Sequence, residues 1–469
     1  MREVGDGGNS VAKREAQVQV LQAQAAGGNA NHALFYGFFR YNGDMNRRQF
    51  IQGAAAAPLF LPSSVLGRAG YTAPSERITV GIIGCGKMAN DFHLPTLLNF
   101  EDVQILAVCD VDTTRRERAK KRVETQYEGE ERATRTCAAY NDFRDVIARK
   151  DIDAVVIVTP EHWHAIPIIE ACKAGKDVYC EKPLTLTLAE SKRCIEAVRK
   201  YKRVLQTGSQ QRSNVFGRFR EGCEFVRSGR LGTIKSVTVG VAAPSIWCDL
   251  KEEMPEPGLD WDLWLGPAPL RPYNSALAPR GAHNHFPAWR SYREYSGGGH
   301  ADMGAHHYDI AQWALGKDDT DPVEIIPPTD PMAMEGAKLI YADGIEVTHG
   351  GPSGCFFTGT NGTLHLDRGV LKSDPPELAK TPLGEKETHL FVSPGHHRNW
   401  INCIKSREKP LCDVEIGCRS VALVQLANLA YWHRRRLKWD PKKWEFVGDK
   451  EANKWLDRER RPQWPLPKV

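Results

Sequence analysis

Past its amino-terminal region the chain has no run of about 20 consecutive apolar residues, so nothing there is built to cross a bilayer as a helix. Charge of one sign is equally scarce. Against 63 Lys and Arg stand 58 Asp and Glu, a net charge of only +5, with no run long enough for a nucleic-acid-binding arm. The densest basic clusters, Arg115-Arg116 to Lys120-Lys121-Arg122 and Arg434-Arg435-Arg436, read as solvated helix faces. Twelve cysteines include no C-x-x-C pair, which argues against a zinc ribbon and a dithiol redox motif. Buried free thiols are expected over a disulfide among Cys403, Cys412 and Cys418. What remains, 41% hydrophobic and 26% charged over 469 residues, is an enzyme-sized chain able to bury one or two cores.

Residues 1–44 are rich in Gly, Ala, Asn and Gln, lack an apolar period and precede a second methionine, Met45. They read as a disordered extension or as text upstream of the true start. From Met45 a charged stretch with Arg47-Arg48 leads into Gly53-Ala54-Ala55-Ala56-Ala57-Pro58-Leu59-Phe60-Leu61, the layout of an export signal followed by a linker to residue 75. The paired arginines with Phe50 resemble a twin-arginine signal, although Asn46 and Gln52 replace the usual Ser/Thr and Lys. A periplasmic or otherwise exported protein is expected, or a cytoplasmic one if this stretch is instead a buried helix.

Residues 76–206 read as a dinucleotide-binding domain. The apolar run Ile78 to Ile83 is a buried parallel strand that feeds into Gly84-x-Gly86-x-x-Ala89. Gly84 permits a tight turn, Gly86 lets backbone approach a pyrophosphate together with Lys87 and Met88, and Ala89 allows close helix-to-strand packing. A second strand, Val103 to Cys109, ends at Asp110, whose carboxylate suits the ribose hydroxyls of NAD. Arg115 and Arg116 lie near enough in sequence to admit NADP. Strands Ala154–Val158, Asp177–Cys180 and Val204–Thr207 alternate with helices Ile166–Ala174 and Leu188–Tyr201, the signature of a doubly wound α/β sheet. Thr159-Pro160 and Glu181-Lys182-Pro183 follow two strand ends, where such sheets bind ligands.

With Thr159-Pro160-x-x-x-His164, Glu181-Lys182-Pro183 and Gly297-Gly298-Gly299-x-x-Asp302-x-Gly304-x-His306-x-x-Asp309, the chain resembles the Gfo/Idh/MocA oxidoreductases from about residue 76 onward. Trp261-Asp262-Leu263-Trp264-Leu265-Gly266-Pro267 resembles an exported bacterial subgroup. Glu161 departs from the Asn usual in that loop. The resemblance implies a second, α+β domain over 207–469 with an open, mostly antiparallel sheet that pairs copies into a homo-oligomer. Here Ile234–Val241 reads as a strand, and Asp343-Gly344 and Asn361-Gly362 as hairpin turns. Helices are expected over Arg398–Ser406 and Gly417–Arg434.

Hydride transfer at a carbinol needs a base, a group that stabilises a developing oxyanion and a wall that fixes the carbon. By resemblance Lys182, Asp302 and His306 fill these roles. His306 is the acid/base, Asp302 orients it or shares the substrate hydroxyl, and Lys182 is a relay or alternative base. Asp302 and His306, four apart, share one face if their segment is helical. Thr159, Pro160, His164, Glu181 and Lys182 are expected beside the cofactor, and Gln210, Arg212, Arg290 and His307 at the substrate. Trp289 reads as core before sugar platform. His300, Asp302, His306 and His307 lack the His-Glu-x-x-His spacing, so no metal is expected. The expected activity is NAD-dependent oxidation or reduction of a sugar, polyol or glycoside, with a cofactor that stays bound because no recyclable pool exists outside the cytoplasm. Two alternatives stand beside it: glycoside cleavage through transient oxidation of a ring hydroxyl, and a non-catalytic sugar or nucleotide sensor.

Overall fold

The computed structural model of the chain describes residues 76–128 and 136–469, so the extension and export signal read over residues 1–75 lie outside the described residues. Six short apolar strands, β1 (Ile78–Ile83), β2 (Val103–Cys109), β3 (Ala138–Tyr140), β4 (Ala154–Ile157), β5 (Asp177–Cys180) and β6 (Leu205–Thr207), pair in parallel in the order β3-β2-β1-β4-β5-β6. Every residue of β2 is buried. Both faces of the sheet are covered, which is why these strands read as continuous apolar runs without alternation. The order reverses between β1 and β4, and that reversal opens a crevice at the carboxyl ends of the strands.

Helices α1 (Thr113–Glu128), α2 (Glu161–Lys173) and α3 (Leu188–Lys200) connect these strands. Helix α3 starts on a reciprocal cap, Thr187 with Glu190. Helix α2 begins five residues before the expected Ile166. The helix has Pro160 at its N-cap and runs through Pro167, placing His164 on a helix and not in a loop.

The second domain is a nine-stranded sheet. Its strands are β7 (Ile234–Gly240), β8 (Glu324–Ile326), β9 (Lys338–Ile340), β10 (Glu346–His349), β11 (Gly354–Gly359), β12 (Thr363–Asp367), β13 (Val370–Asp374), β14 (Leu437–Asp440) and β15 (Glu445–Phe446), ordered β13-β12-β11-β7-β10-β9-β8-β14-β15. Only β7 with β10 is parallel; Asp343-Gly344 and Asn361-Gly362 sit in the turns of two antiparallel pairs. Helices α4 (Phe219–Arg227), α5 (Gly299–Leu315) and α7 (Val414–His433) pack together, and α5 lies on β7 and β11. Helix α6 (His396–Ser406) returns to the first sheet, where Trp400 and Ile401 share a core with Val80 and Ile82. All twelve cysteines are free and eleven are buried.

Helix α5 enters through Gly297-Gly298-Gly299. Gly298 has φ +90° and ψ −178°, a region essentially closed to residues with a Cβ, and a Cβ there would meet Ser245 N at 2.3 Å. Gly298→Ala is therefore expected to lower stability by about 3 kcal/mol. Urea unfolding measures it, and an unchanged midpoint would show that the turn has room.

Candidate active site

The strand-to-helix turn after β1 is built for close approach. Gly84, at φ +92°, would put a Cβ 2.7 Å from the Val158 carbonyl group, whereas a Cβ on Gly86 would meet nothing within 4 Å. Ala89 is fully buried against the sheet. Asp110 pins the turn, accepting from Cys85 N at 2.7 Å and from Asp112 N at 2.8 Å. Gly84, Gly86, Lys87, Met88, Asp110, Thr159 and Pro160 line one end of a single cleft. An open space over Gly86, a carboxylate below it and a buried Thr159 hydroxyl with no partner among the described residues fit a dinucleotide.

A segment of the second domain straps this end. Thr113 N donates to Gly258 O at 2.9 Å, Asp260 N to Val111 O at 3.0 Å and Asn141 to Asp260 at 2.9 Å. Asp112 holds Gly281 N at 3.0 Å and pairs with Arg280. Leu277, Ala278, His283 and Phe286 of this strap line the cleft. Arg115 is not on a solvated face: it is buried and donates to Gly281 O at 2.9 Å and to Pro279 O. Arg116 donates to Asp110 O at 3.1 Å and to Asn141 at 3.0 Å.

At the other end of the cleft Lys182 Nζ, just past β5, donates to Asp302 Oδ1 and to the Asp302 carbonyl, both at 2.8 Å. Asp302 and His306 line the cleft from successive turns of α5. Burial alone would raise the Asp302 carboxyl, but the charges of Lys182 and Arg290 overturn it and hold the group below its ordinary value. For His306 burial acts first and the positive Lys182 and Arg368 add to it, so its pKa falls well below the ordinary value and the imidazole is neutral. Its Nδ1 has no hydrogen-bond partner among the described residues. Arg290, over the rings of Trp289 at 4.2 Å and Phe286 at 4.7 Å, completes this wall.

Two matches cover this architecture. Residues 78–209 fit the family model described as "Oxidoreductase family, NAD-binding Rossmann fold", and residues 224–466 fit its "C-terminal alpha/beta domain", more than half of the chain. The chain belongs to the Gfo/Idh/MocA oxidoreductase family. Inositol 2-dehydrogenase of Salmonella typhimurium is 35% identical over 137 residues, 29% of this chain and 38% of that protein. Myo-inositol 2-dehydrogenase of Thermotoga maritima is 27% identical over 240 residues, 51% of this chain and 55% of that one. Neither match reaches two thirds of the relative's length. Among solved structures, WlbA dehydrogenase of Bordetella pertussis, in complex with NADH and UDP-GlcNAcA, shares the fold at TM-score 0.55 and 20% identity, covering 78% of this chain and 98% of its own.

As in its Gfo/Idh/MocA family, the nucleotide of the first domain is NAD. Several other expected residues, Glu181, Gln210 and His164, line the cleft and are also bonded to neighbouring groups. Glu181 borders the cleft, but its carboxylate accepts from Gln210 at 2.6 Å and Lys182 N at 3.1 Å and lies 3.0 Å from His93. Gln210, also bordering the cleft, is held by Tyr179 and Glu181. Both ring nitrogens of His164 face carbonyls, of Pro183 and Thr159, at 2.8 Å.

Two substrate assignments are corrected. Arg212, 1% exposed, is not in the cleft: it pairs with Asp309 at 2.8 Å and Asp318 at 2.7 Å, because a buried guanidinium needs carboxylates beside it. His307 is also outside. One residue beyond His306 on a helix it turns about 100° away, and it is buried 3.4 Å from Asp367.

Sequence reasoning missed Arg368, brought to the cleft by the turn between β12 and β13, where no motif marks it. It also underrated Glu161. This carboxyl, 2% exposed, accepts from Ser296 Oγ at 2.6 Å and Gly297 N at 3.1 Å, fastening α2 to the turn that launches α5. Burial pushes it from 4.5 up to about 7 against those hydrogen bonds, with Asp302 adding to the rise. The folded chain thus keeps a proton that the unfolded chain loses, so this contribution to stability is full below pH 4.5 and is lost as pH rises through about 7. Glu161→Gln is expected to flatten that decline, by about 3 kcal/mol between the two limits. Melting temperature against pH measures it; parallel curves for parent and variant would refute it.

Proposed function

We propose that the protein is an NAD-dependent dehydrogenase acting on a carbinol carbon of a sugar or polyol, with its cofactor retained between turnovers. The observation that carries this is the meeting of Lys182, Asp302 and His306 in the cleft that the glycine turn enters. An ammonium has three N–H bonds, and Asp302 takes two of those of Lys182. The third serves the substrate hydroxyl and steadies its oxygen as negative charge develops. His306, neutral and in contact with the same cleft, accepts the hydroxyl proton and returns it in the reverse direction. Asp302 fixes Lys182 and balances its charge. When bound, NAD takes up or gives back the hydride. Arg290 and Trp289 form the wall against which a polyhydroxylated ring is oriented. The dehydrogenase names of the two inositol relatives support this substrate class.

Retention is favoured by the strap over the nucleotide end. It also suits export by the twin-arginine route, suggested by Arg47-Arg48, since that route carries folded, loaded proteins.

The purified protein is expected to release about one NAD per chain on denaturation and to change its absorbance near 340 nm with one member of a sugar and polyol panel. Lys182→Ala should lower turnover about 10³-fold with the nucleotide still bound; a variant as active as the parent would overturn the assignment. Arg280→Ala, which removes the ion pair between the strap and Asp112, is expected to shed nucleotide on gel filtration. Equal nucleotide content before and after the column, in variant as in parent, would deny the strap a role in retention.

A further inference from the structure

Glu161 borders a second cavity, distinct from the catalytic cleft, walled by the start of α3, one face of α7 and the segment around Trp455. Its chemistry is unlike a packing defect. Trp247, Trp432 and Trp455 line it, and the Arg293 guanidinium lies between two of them, 3.8 Å from the ring centre of Trp432 and 4.6 Å from that of Trp247. Trp247 is 63% exposed, which leaves its outer surface open to a ligand.

Arg293 makes no side-chain hydrogen bond or ion pair within 4 Å among the described residues; burial pulls its pKa below the ordinary value, opposed only in part by the charge of neighbouring Glu294. The neighbouring cations are matched: Lys454 lies 2.8 Å from Glu451, and Arg458 lies 3.1 Å from Glu190. Of the acids, Asp457 pairs with Arg460 at 2.7 Å, Glu294 accepts from Cys248 N at 3.2 Å, and Glu459 is exposed. A half-buried guanidinium set over two indoles, with no side-chain hydrogen bond of its own among the described residues, is suited to bidentate capture of a carboxylate. An open indole face beside it suits the C–H face of a pyranose. The polar rim supplies partners for ring hydroxyls.

We propose that this cavity is a second saccharide site and takes a hexuronate, with its carboxylate on Arg293 and its ring on Trp247. A neutral sugar lacks the group that Arg293 needs, and a small carboxylate lacks the ring that Trp247 needs.

The test uses the full chain carrying Lys182→Ala, so that binding is read without turnover and independently of the catalytic assignment. Glucuronate, galacturonate, glucose and acetate are titrated, followed by calorimetry and tryptophan fluorescence. One hexuronate should bind per chain, at least tenfold tighter than glucose or acetate, and at least tenfold weaker after Arg293→Gln or Trp247→Ala. Trp247 is on the surface, so its variant folds even if Arg293→Gln does not. Glucuronate and galacturonate binding no better than glucose, or binding of either that survives both substitutions, would overturn the proposal.

Discussion

The contact between Lys182 and Asp302 is the joint on which the site depends. Lys182 stands at the end of β5 in the first sheet, and Asp302 stands in the first turn of α5 in the second domain. Each is useful only where the other puts it. Without Asp302 the ammonium is a half-buried charge facing Arg290 and Arg368, and without Lys182 the carboxylate loses the partner that keeps it ionised. The rest of the local structure holds these two elements in register. Glu181 is braced by Gln210 and His93 directly before the lysine, and the glycine turn before α5 is fastened by Glu161. Gly298 earns its place there by geometry, since the chain crosses the Pro244-Ser245 backbone too closely for a Cβ.

Much of this was legible in the sequence, for a physical reason. The strands of a sheet covered on both faces are unbroken apolar runs, the fingerprint glycines have conformational duties no other residue performs, and Asp302 and His306 have helical spacing. What escaped notice depends on contacts between segments far apart in the chain. Arg212 reads as a cleft residue until Asp309 and Asp318 are seen around it. His307 next to His306 shares its chemistry but not its direction. Arg115 reads as solvated because nothing near it in sequence announces that the backbone of Pro279 and Gly281 will come down on it. Helix α2 starts earlier than its apolar stretch suggests, since Pro160 opens it and the helix runs on through Pro167.

The strap also bears on which nucleotide is preferred. Selection against an extra ribose phosphate rests on the carboxylate at the end of β2 and on the absence of uncommitted cations nearby. Here the same fold-over engages the groups on which such selection turns. Asp110 presents a buried carboxylate beside the glycine turn, while Arg115 and Arg116, the two cations the sequence offers, are engaged with carbonyls and with Asn141. To serve a phosphate, Arg115 would have to abandon the carbonyls that hold the strap. The contacts that fold the strap over the glycine end of the cleft are therefore the same ones that commit both arginines.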